Sequence, residues 1–169
     1  GTRNGCSNGL SQVDATIASL CIFIIVAPPY RFLYGTDAMN HPIQSVSDIP
    51  PLIATSVVRG SEQGQSHGGV YIVDPASQSV QQVLDWNTVN IDWSGRGWDR
   101  GLRGIAFHDG EVYIAASDEL FVYDQQFRQL RSFRNPYLKH CHEIAVYKDR
   151  LYLTSTGFDS ILSFDLTEQ

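Results

Sequence analysis

The chain has 169 residues, of which 43% are hydrophobic and 18% are charged, and these proportions exclude a disordered or low-complexity chain. The length suits a single soluble domain. A formal net charge of −6 at pH 7 argues against nucleic acid as a partner, because nucleic-acid binding requires a basic face.

The N-terminal residues 1–51 hold one apolar stretch, 18–27. It is half the length of about 20 residues that a membrane-spanning helix needs, so no membrane span is expected. Its β-branched residues favour a buried strand over the core of a signal peptide. Five prolines interrupt the chain between this stretch and residue 52, namely Pro28, Pro29, Pro42, Pro50 and Pro51. We therefore predict an irregular segment over 1–51 with one or two buried strands.

Two C-terminal segments, 104–124 and 143–165, repeat the order of apolar strand, tight turn, apolar strand and Asp. Ile105 aligns with Ile144 at a spacing of 39 residues, and Asp124 aligns with Asp165 at a spacing of 41. The difference is a two-residue insertion in the second turn of the later copy. A strand-rich repeat of about 40 residues is typical of propeller blades.

A weaker copy begins at Leu52, crosses a polar insertion at 61–67 and ends at Asp74, in the position of Asp124 and Asp165. A fourth strand of the middle copy is predicted at 128–133. The repeats therefore run over 52–86, 102–134 and 142–169. Propellers contain about four to eight four-stranded blades. The expected fold class is all-β, with β-propeller-type four-stranded antiparallel blades in an incomplete ring.

Two consequences of this alignment can be checked. The segments 104–124 and 143–165 are expected to form equivalent three-stranded antiparallel units, and the three aspartates are expected to end equivalent strands. An incomplete ring also leaves apolar sheet faces and unpaired strand edges uncovered. We therefore expect self-association through the open blade edges.

The motif HEIAVYKDRLYLTSTGFDSILSFDL, 142–166, resembles a blade of the NHL and SMP-30-like six-bladed propellers, as does 101–124. The resemblance extends over about 52–166. It implies ligands that project from the ends of inner strands into a central channel: Glu, Asn and Asp in SMP-30-like lactonases, and His in NHL-type lyases. The corresponding positions in this chain are Arg103, His140, His142 and Glu143.

The densest cluster of chemically active residues is 139–143, directly before a predicted inner strand. Strand alternation places His140 and His142 on one face, which makes them candidate ligands of a divalent metal. A third ligand would come from another blade, for example Asp99 or His67. His142, with Glu143 beside it, is the candidate catalytic acid or base, because histidine titrates near neutrality. In the structural alternative, one histidine binds backbone at a blade junction and the other is solvated.

A second cluster, 92–104, combines glycines with arginines and tryptophans. Guanidinium groups bind carboxylate or phosphate, and with an indole they suit a lid over an anionic or sugar-like ligand. In the alternative, the arginines pair with Asp92 and Asp99. His67, in the polar insertion, is expected to be solvated. The candidate ligand-binding residues are Arg96, Trp98, Arg100 and Arg103.

The sequence favours a propeller-type binding module that presents a surface for a small polar or anionic ligand or for a protein partner at the inner-strand face. The alternative is a metal-assisted hydrolase or lyase of the SMP-30/NHL-like kind, and a purely structural repeat is the third interpretation. Common nucleophile, phosphate and dinucleotide motifs are missing from the sequence. Three cysteines without a CxxC spacing leave the cellular compartment open.

Overall fold

The computed structural model describes residues 25–26, 45–58, 61, 65–86 and 101–167. Within these residues the chain forms strands in three sheets. Sheet 1 contains β1 (Ile25–Val26), β2 (Leu52–Thr55), β3 (Gly69–Asp74) and β4 (Ser79–Asp85). Sheet 2 contains β5 (Ile105–His108), β6 (Glu111–Ala116), β7 (Glu119–Tyr123) and β8 (Gln129–Arg134). Sheet 3 contains β9 (Ile144–Tyr147), β10 (Arg150–Ser155) and β11 (Ser160–Asp165).

Each sheet is an antiparallel meander whose strands lie side by side in chain order. Sheets 1 and 2 are four-stranded, and sheet 3 has three strands among the described residues. Two single turns of 3-10 helix, Val46–Asp48 and Thr156–Phe158, are the helical elements of the described chain. The expected all-β fold built of antiparallel propeller-type blades is confirmed.

The two C-terminal segments form the equivalent three-stranded antiparallel units expected from their alignment. Residues 104–124 hold β5, β6 and β7, and residues 143–165 hold β9, β10 and β11, in the same antiparallel order. The turn between the second and third strands is longer in sheet 3, where it includes Thr156–Phe158. This is the two-residue insertion seen in the sequence. The predicted fourth strand of sheet 2 is β8, displaced by one residue.

The three aspartates end equivalent strands, as predicted: Asp74 and Asp165 close the third strands of sheets 1 and 3, and Asp124 directly follows the third strand of sheet 2. Each carboxylate accepts a hydrogen bond from the backbone N–H two residues later, which is the geometry of an Asx turn. The donors are Ala76 at 2.9 Å, Gln126 at 2.9 Å and Thr167 at 3.0 Å. The repeated Asp is therefore a turn-forming residue.

Two apolar cores hold the sheets face to face. Between sheets 1 and 2, the ring of Trp86 packs edge-on against Phe121 with ring centroids 4.7 Å apart, close to Val70 and Ile114. Between sheets 2 and 3, Tyr113, Leu120 and Val122 pack against Leu151 and Leu153. Sheet 2 is thus covered on both faces, which explains why β6 and β7 are buried almost throughout.

The N-terminal segment contributes a strand to sheet 1. β1 pairs with β2 through Ile25↔Ile53 and Val26↔Leu52, so it occupies the first position of that sheet. Of the apolar stretch 18–27, the structure describes residues 25–26, and the others lie outside the described residues. No helix in the described ranges is long and apolar enough to cross a membrane.

Candidate functional site

Buried polar side chains of the described chain collect at one edge of the three sheets. In an antiparallel sheet of consecutive strands, the first strand begins, the second ends and the third begins at the same edge. We call this end of the sheet, which is lined by strand ends and not by an outermost strand, the start edge. The eight buried polar or charged residues within the described ranges all lie at it or in the connections that border it: Thr55, Ser56, Ser61, His67, Arg103, Ser117, Glu119 and Ser155.

The start edges of neighbouring sheets are joined by hydrogen bonds. Between sheets 1 and 2, the Thr55 hydroxyl donates to the carbonyl of Arg103 at 2.5 Å. Between sheet 2 and the connection to sheet 3, the backbone N–H of Cys141 donates to the carbonyl of Ser117 at 2.7 Å. The three start edges therefore form one continuous surface.

Arg103 and His142 meet at this surface, where the first strands of sheets 2 and 3 begin. Arg103 is 3% exposed, and its Nη1 lies 3.2 Å from Nδ1 of the half-buried His142. Because a guanidinium only donates hydrogen bonds, Nδ1 is the acceptor, and in the neutral ring Nε2 carries the proton. Both residues are candidates from the sequence, and the structure brings them together.

Gly104 allows the two first strands to approach each other. A Cβ atom at this position would lie 2.7 Å from the backbone nitrogen of Ile144 and 2.9 Å from the carbonyl oxygen of His142. Such distances are shorter than any ordinary packing contact. A side chain here would push β5 and β9 apart and separate Arg103 from His142.

The backbone around His142 is fixed by Thr154 of β10. The Thr154 hydroxyl oxygen accepts hydrogen bonds from the N–H groups of His142 at 3.2 Å and Glu143 at 3.0 Å. His142 is therefore held by its neighbours on two sides, through its ring and through its backbone. The side chain of Glu143 is exposed.

The expectation that His140 and His142 share a strand face is wrong. β9 begins at Ile144, and His140 has φ +54°, a left-handed conformation that interrupts the alternation of an extended chain. Its carbonyl accepts a hydrogen bond from the Thr156 hydroxyl at 2.8 Å, and the residue is exposed. His140 therefore lies in a loop, where the strand alternation that would place it on the same face as His142 does not apply.

The described residues around His142 do not fit a divalent cation. No group of three His, Cys, Asp or Glu side chains with metal-binding geometry occurs in the described part of the chain. The Arg103 guanidinium also occupies the Nδ1 side of the His142 ring, and a fixed positive charge there disfavours a second cation. The roles of His140, His142 and Glu143 as ligands or catalysts stay predictions.

Of the four candidate ligand-binding residues, the structure places Arg103. Arg96, Trp98 and Arg100 lie outside the described residues, as does Asp99. His67 differs from expectation, since it is 1% exposed. Its N–H donates to the carbonyl of Trp86 at 3.2 Å, which ties the β2–β3 connection onto sheet 1 and buries the ring.

Cys141 belongs to the core rather than to the site. It is fully buried between sheets 2 and 3, and burial raises the pKa of its thiol to about 12. A thiol with this pKa is almost entirely protonated near neutrality, so Cys141 is a poor nucleophile and a poor metal ligand.

An exposed aromatic pair, not predicted from the sequence, lies at the same edge. Tyr137 and Phe158 are 65% and 50% exposed, and their ring centroids lie 6.2 Å apart at an interplanar angle of 66°. Phe158 lies in the turn that carries the two-residue insertion. That insertion is the one signal in the sequence that distinguishes this turn from its counterpart in sheet 2.

Comparison with known proteins gives no family. No family model matches the chain, and no curated protein matches it. Among solved structures, the chain is similar to one in the crystal structure of a nidogen/laminin complex, with a TM-score of 0.48 and 11% identity over 70% of this chain and 40% of that chain. The match thus spans less than half of the other chain. A TM-score this low carries no weight, and the fold assignment rests on the sheets themselves.

Proposed function

We propose that the protein is a propeller-type binding module whose start edge holds a small polar or anionic ligand or a protein partner. The observation that carries this proposal is the concentration of buried polar side chains at one edge, with the Arg103–His142 contact where two blades meet. The opposite edge consists, in the described chain, of tight turns such as 75–78, 109–110 and 148–149.

The energetics support a binding role for this edge. A buried polar group costs free energy unless it is hydrogen-bonded, so a face that only joined blades would be filled more favourably by apolar side chains. An arginine presents several donors in a planar fork suited to carboxylate and phosphate. His142 fixes one of those donors, which orients the fork. Arg96, Trp98 and Arg100 precede Arg103 in the chain, and we propose them as further contacts.

The similarity to NHL and SMP-30-like propellers supports placing the ligand at the inner-strand ends, where Arg103 and His142 lie. A metal-assisted hydrolase or lyase is the alternative from the sequence. Because the described residues around His142 do not fit a divalent cation, it needs ligands from outside the described residues, such as Asp99. Metal analysis of the purified protein tests this alternative, because stoichiometric zinc, iron or calcium would favour it over the binding module.

The binding module is tested with His142→Asn. The side-chain oxygen of asparagine takes the place of Nδ1 as acceptor for Arg103, while the Nε2 side of the ring is removed. His108→Asn is the matched control, because His108 ends the first strand of sheet 2 at the opposite edge. Calorimetric titration with phosphate, citrate and gluconate is the measurement.

We expect at least one of these anions to bind the wild-type protein and to bind His142→Asn about tenfold more weakly. The melting temperature of this variant should stay close to that of the wild type, and His108→Asn should bind normally. A lower melting temperature for His142→Asn with unchanged binding would show that His142 is a structural residue, and would contradict the proposal.

A further inference from the structure

The exposed pair Tyr137 and Phe158 forms a corner at the start edge of sheet 3. Exposed aromatic side chains that lie next to each other form an apolar patch of the kind that binds a partner. Tyr137 lies in the connection that leads from β8 to β9, and Phe158 lies in the turn between β10 and β11. We call the corner, with the neighbouring Lys139 and His140, the aromatic notch.

The notch exists because of the insertion. In sheet 2 the equivalent turn consists of Ser117 and Asp118 between β6 and β7. In sheet 3 the longer turn makes a single 3-10 turn and ends on Asp159, whose φ of +47° is left-handed. This conformation reverses the chain within a few residues and leaves Phe158 beside Tyr137.

Hydrogen bonds hold both halves of the notch in place. The fully buried Ser155 donates its hydroxyl hydrogen to the carbonyl of Tyr137 at 2.6 Å and accepts from the N–H of Lys139 at 3.0 Å. The N–H of Gly157 donates to the carbonyl of Lys139 at 3.0 Å. Leu138, 3% exposed, anchors the segment in the core. A partner would therefore meet a backbone that is already ordered on both sides of the two rings, which lowers the entropic cost of binding.

The charge at the notch is unneutralised. Lys139 is the one Lys or Arg of the described chain with no carboxylate, aromatic or imidazole partner. Arg103 contacts His142, and Lys148 lies over the ring of Tyr147 at 5.4 Å. The other described basic residues pair with carboxylates: Arg128, Arg131, Arg134 and Arg150. A cation left without a partner beside exposed aromatic rings complements an acidic, partly apolar ligand.

We propose that the aromatic notch binds an acidic peptide segment, with an apolar side chain in the corner of the two rings and a carboxylate beside Lys139. Two rings at 66° make a corner that suits a branched or proline side chain better than a flat sugar ring. This inference rests on the proposed function and deepens it. The partner is a protein, and it contacts the aromatic notch in addition to Arg103 and His142.

Fluorescence anisotropy with three labelled hexapeptides tests the proposal at low salt. The probe is Glu-Glu-Leu-Pro-Glu-Glu, and its controls are Gln-Gln-Leu-Pro-Gln-Gln and Glu-Glu-Ser-Gly-Glu-Glu. We expect the probe to bind most tightly. Phe158→Ala and Tyr137→Ala should each weaken it about tenfold, as for an interface anchor. Lys139→Gln should weaken it about threefold and reduce its salt dependence.

Matched controls lie at the opposite edge of the same sheet. Tyr147 is 66% exposed against 65% for Tyr137, so Tyr147→Ala removes a similar exposed area, and Lys148→Gln removes a similar charge. Both variants should bind the probe as the wild type does. Equal losses in these controls would overturn the proposal.

The outcomes separate this inference from the proposed function. Probe binding that survives Phe158→Ala and Tyr137→Ala but is lost in His142→Asn would overturn the notch and leave the start edge as the binding face. Anion binding without binding of any peptide would do the same. Tighter binding of an oligosaccharide such as maltohexaose than of the probe would replace the peptide and overturn the inference.

Discussion

Two buried tyrosines of sheet 2 differ in a single hydrogen bond. Tyr113 and Tyr123 are 0% and 1% exposed. The hydroxyl of Tyr113 donates to Glu111 at 2.7 Å, whereas that of Tyr123 has no hydrogen-bond partner in the described chain. Burial, with a smaller effect of Glu119, raises the pKa of Tyr123, so its hydroxyl stays neutral.

We expect Tyr123→Phe to leave the free energy of unfolding unchanged or to raise it by about 1 kcal/mol, because the variant loses no hydrogen bond and removes a buried polar atom. Tyr113→Phe, the matched control, should lower it by about 1 kcal/mol, because Glu111 loses a donor. Urea denaturation measures both. A larger loss for Tyr123→Phe than for Tyr113→Phe would show that the Tyr123 hydroxyl has a partner.

The turns after the third strands of the three sheets each contain an Asp whose pKa is lowered by hydrogen bonds within the turn. The Ser77 hydroxyl lowers the pKa of Asp74, the backbone N–H of Arg128 lowers that of Asp124, and the Thr167 hydroxyl lowers that of Asp165. A carboxyl whose pKa is lower in the folded than in the unfolded chain stabilises the fold above the unfolded value, about 3.9. This stabilisation is lost as the pH falls through the folded value.

Asp124→Asn tests whether the ionised carboxylate stabilises the fold, because asparagine keeps the acceptor of the Asx turn and removes the charge. The melting temperature of the variant should lie below that of the wild type at pH 7, and the two should converge as the pH falls below about 4. Circular dichroism melts between pH 2 and pH 7 provide the measurement. A difference that is constant over this range would contradict the role of the charge.

The sequence predicts the strands of sheets 2 and 3 well because their signals are local. Apolar strands, tight turns and the terminal Asp recur within about 40 residues, and each depends on its own neighbours. The pairing of β1 with β2 joins segments on either side of a proline-rich stretch, and no local pattern reports that pairing. The position of β1 in sheet 1 therefore needed the structure.

The candidate site was likewise predictable only in part. Arg103 and His142 were candidates because a guanidinium and an imidazole stand at the start of predicted inner strands. Their mutual contact depends on the close approach at Gly104, which sequence periodicity does not encode. The error over His140 has a related cause, because a single left-handed residue overrides strand alternation. The aromatic notch was missed because exposure depends on the tertiary fold.

Within the described part of the chain, one face of sheet 3 is left uncovered. In sheet 2, Ala106, Leu120 and Val122 are buried against sheet 3. The aligned residues of sheet 3 are Ala145, Ile161 and Ser163, which are exposed, Ile161 to 72%. The positions that pack against a neighbouring sheet in sheet 2 are therefore not covered by any described residue in sheet 3. We propose that a second copy of the chain associates there.

Light scattering coupled to size exclusion tests this self-association. We expect a mass above 18.9 kDa that rises with protein concentration, and we expect Ile161→Lys to shift it towards the monomer, because a charge at the centre of an apolar interface is costly. Leu130→Lys is the matched control, since Leu130 is also exposed, on β8 of sheet 2. A monomeric wild type at all concentrations would contradict the proposal.

Chemical-shift mapping of backbone amides shows where on the three sheets a partner binds, and we expect the start edge. The protein is titrated with whichever of the three anions or three hexapeptides binds most tightly, and the perturbed amides are assigned. We predict that they fall in 102–104, 117–119, 137–143 and 154–158, on one edge of sheets 2 and 3. Perturbations confined to the turns of the opposite edge, 75–78, 109–110, 124–128 and 148–149, would contradict binding at the start edge.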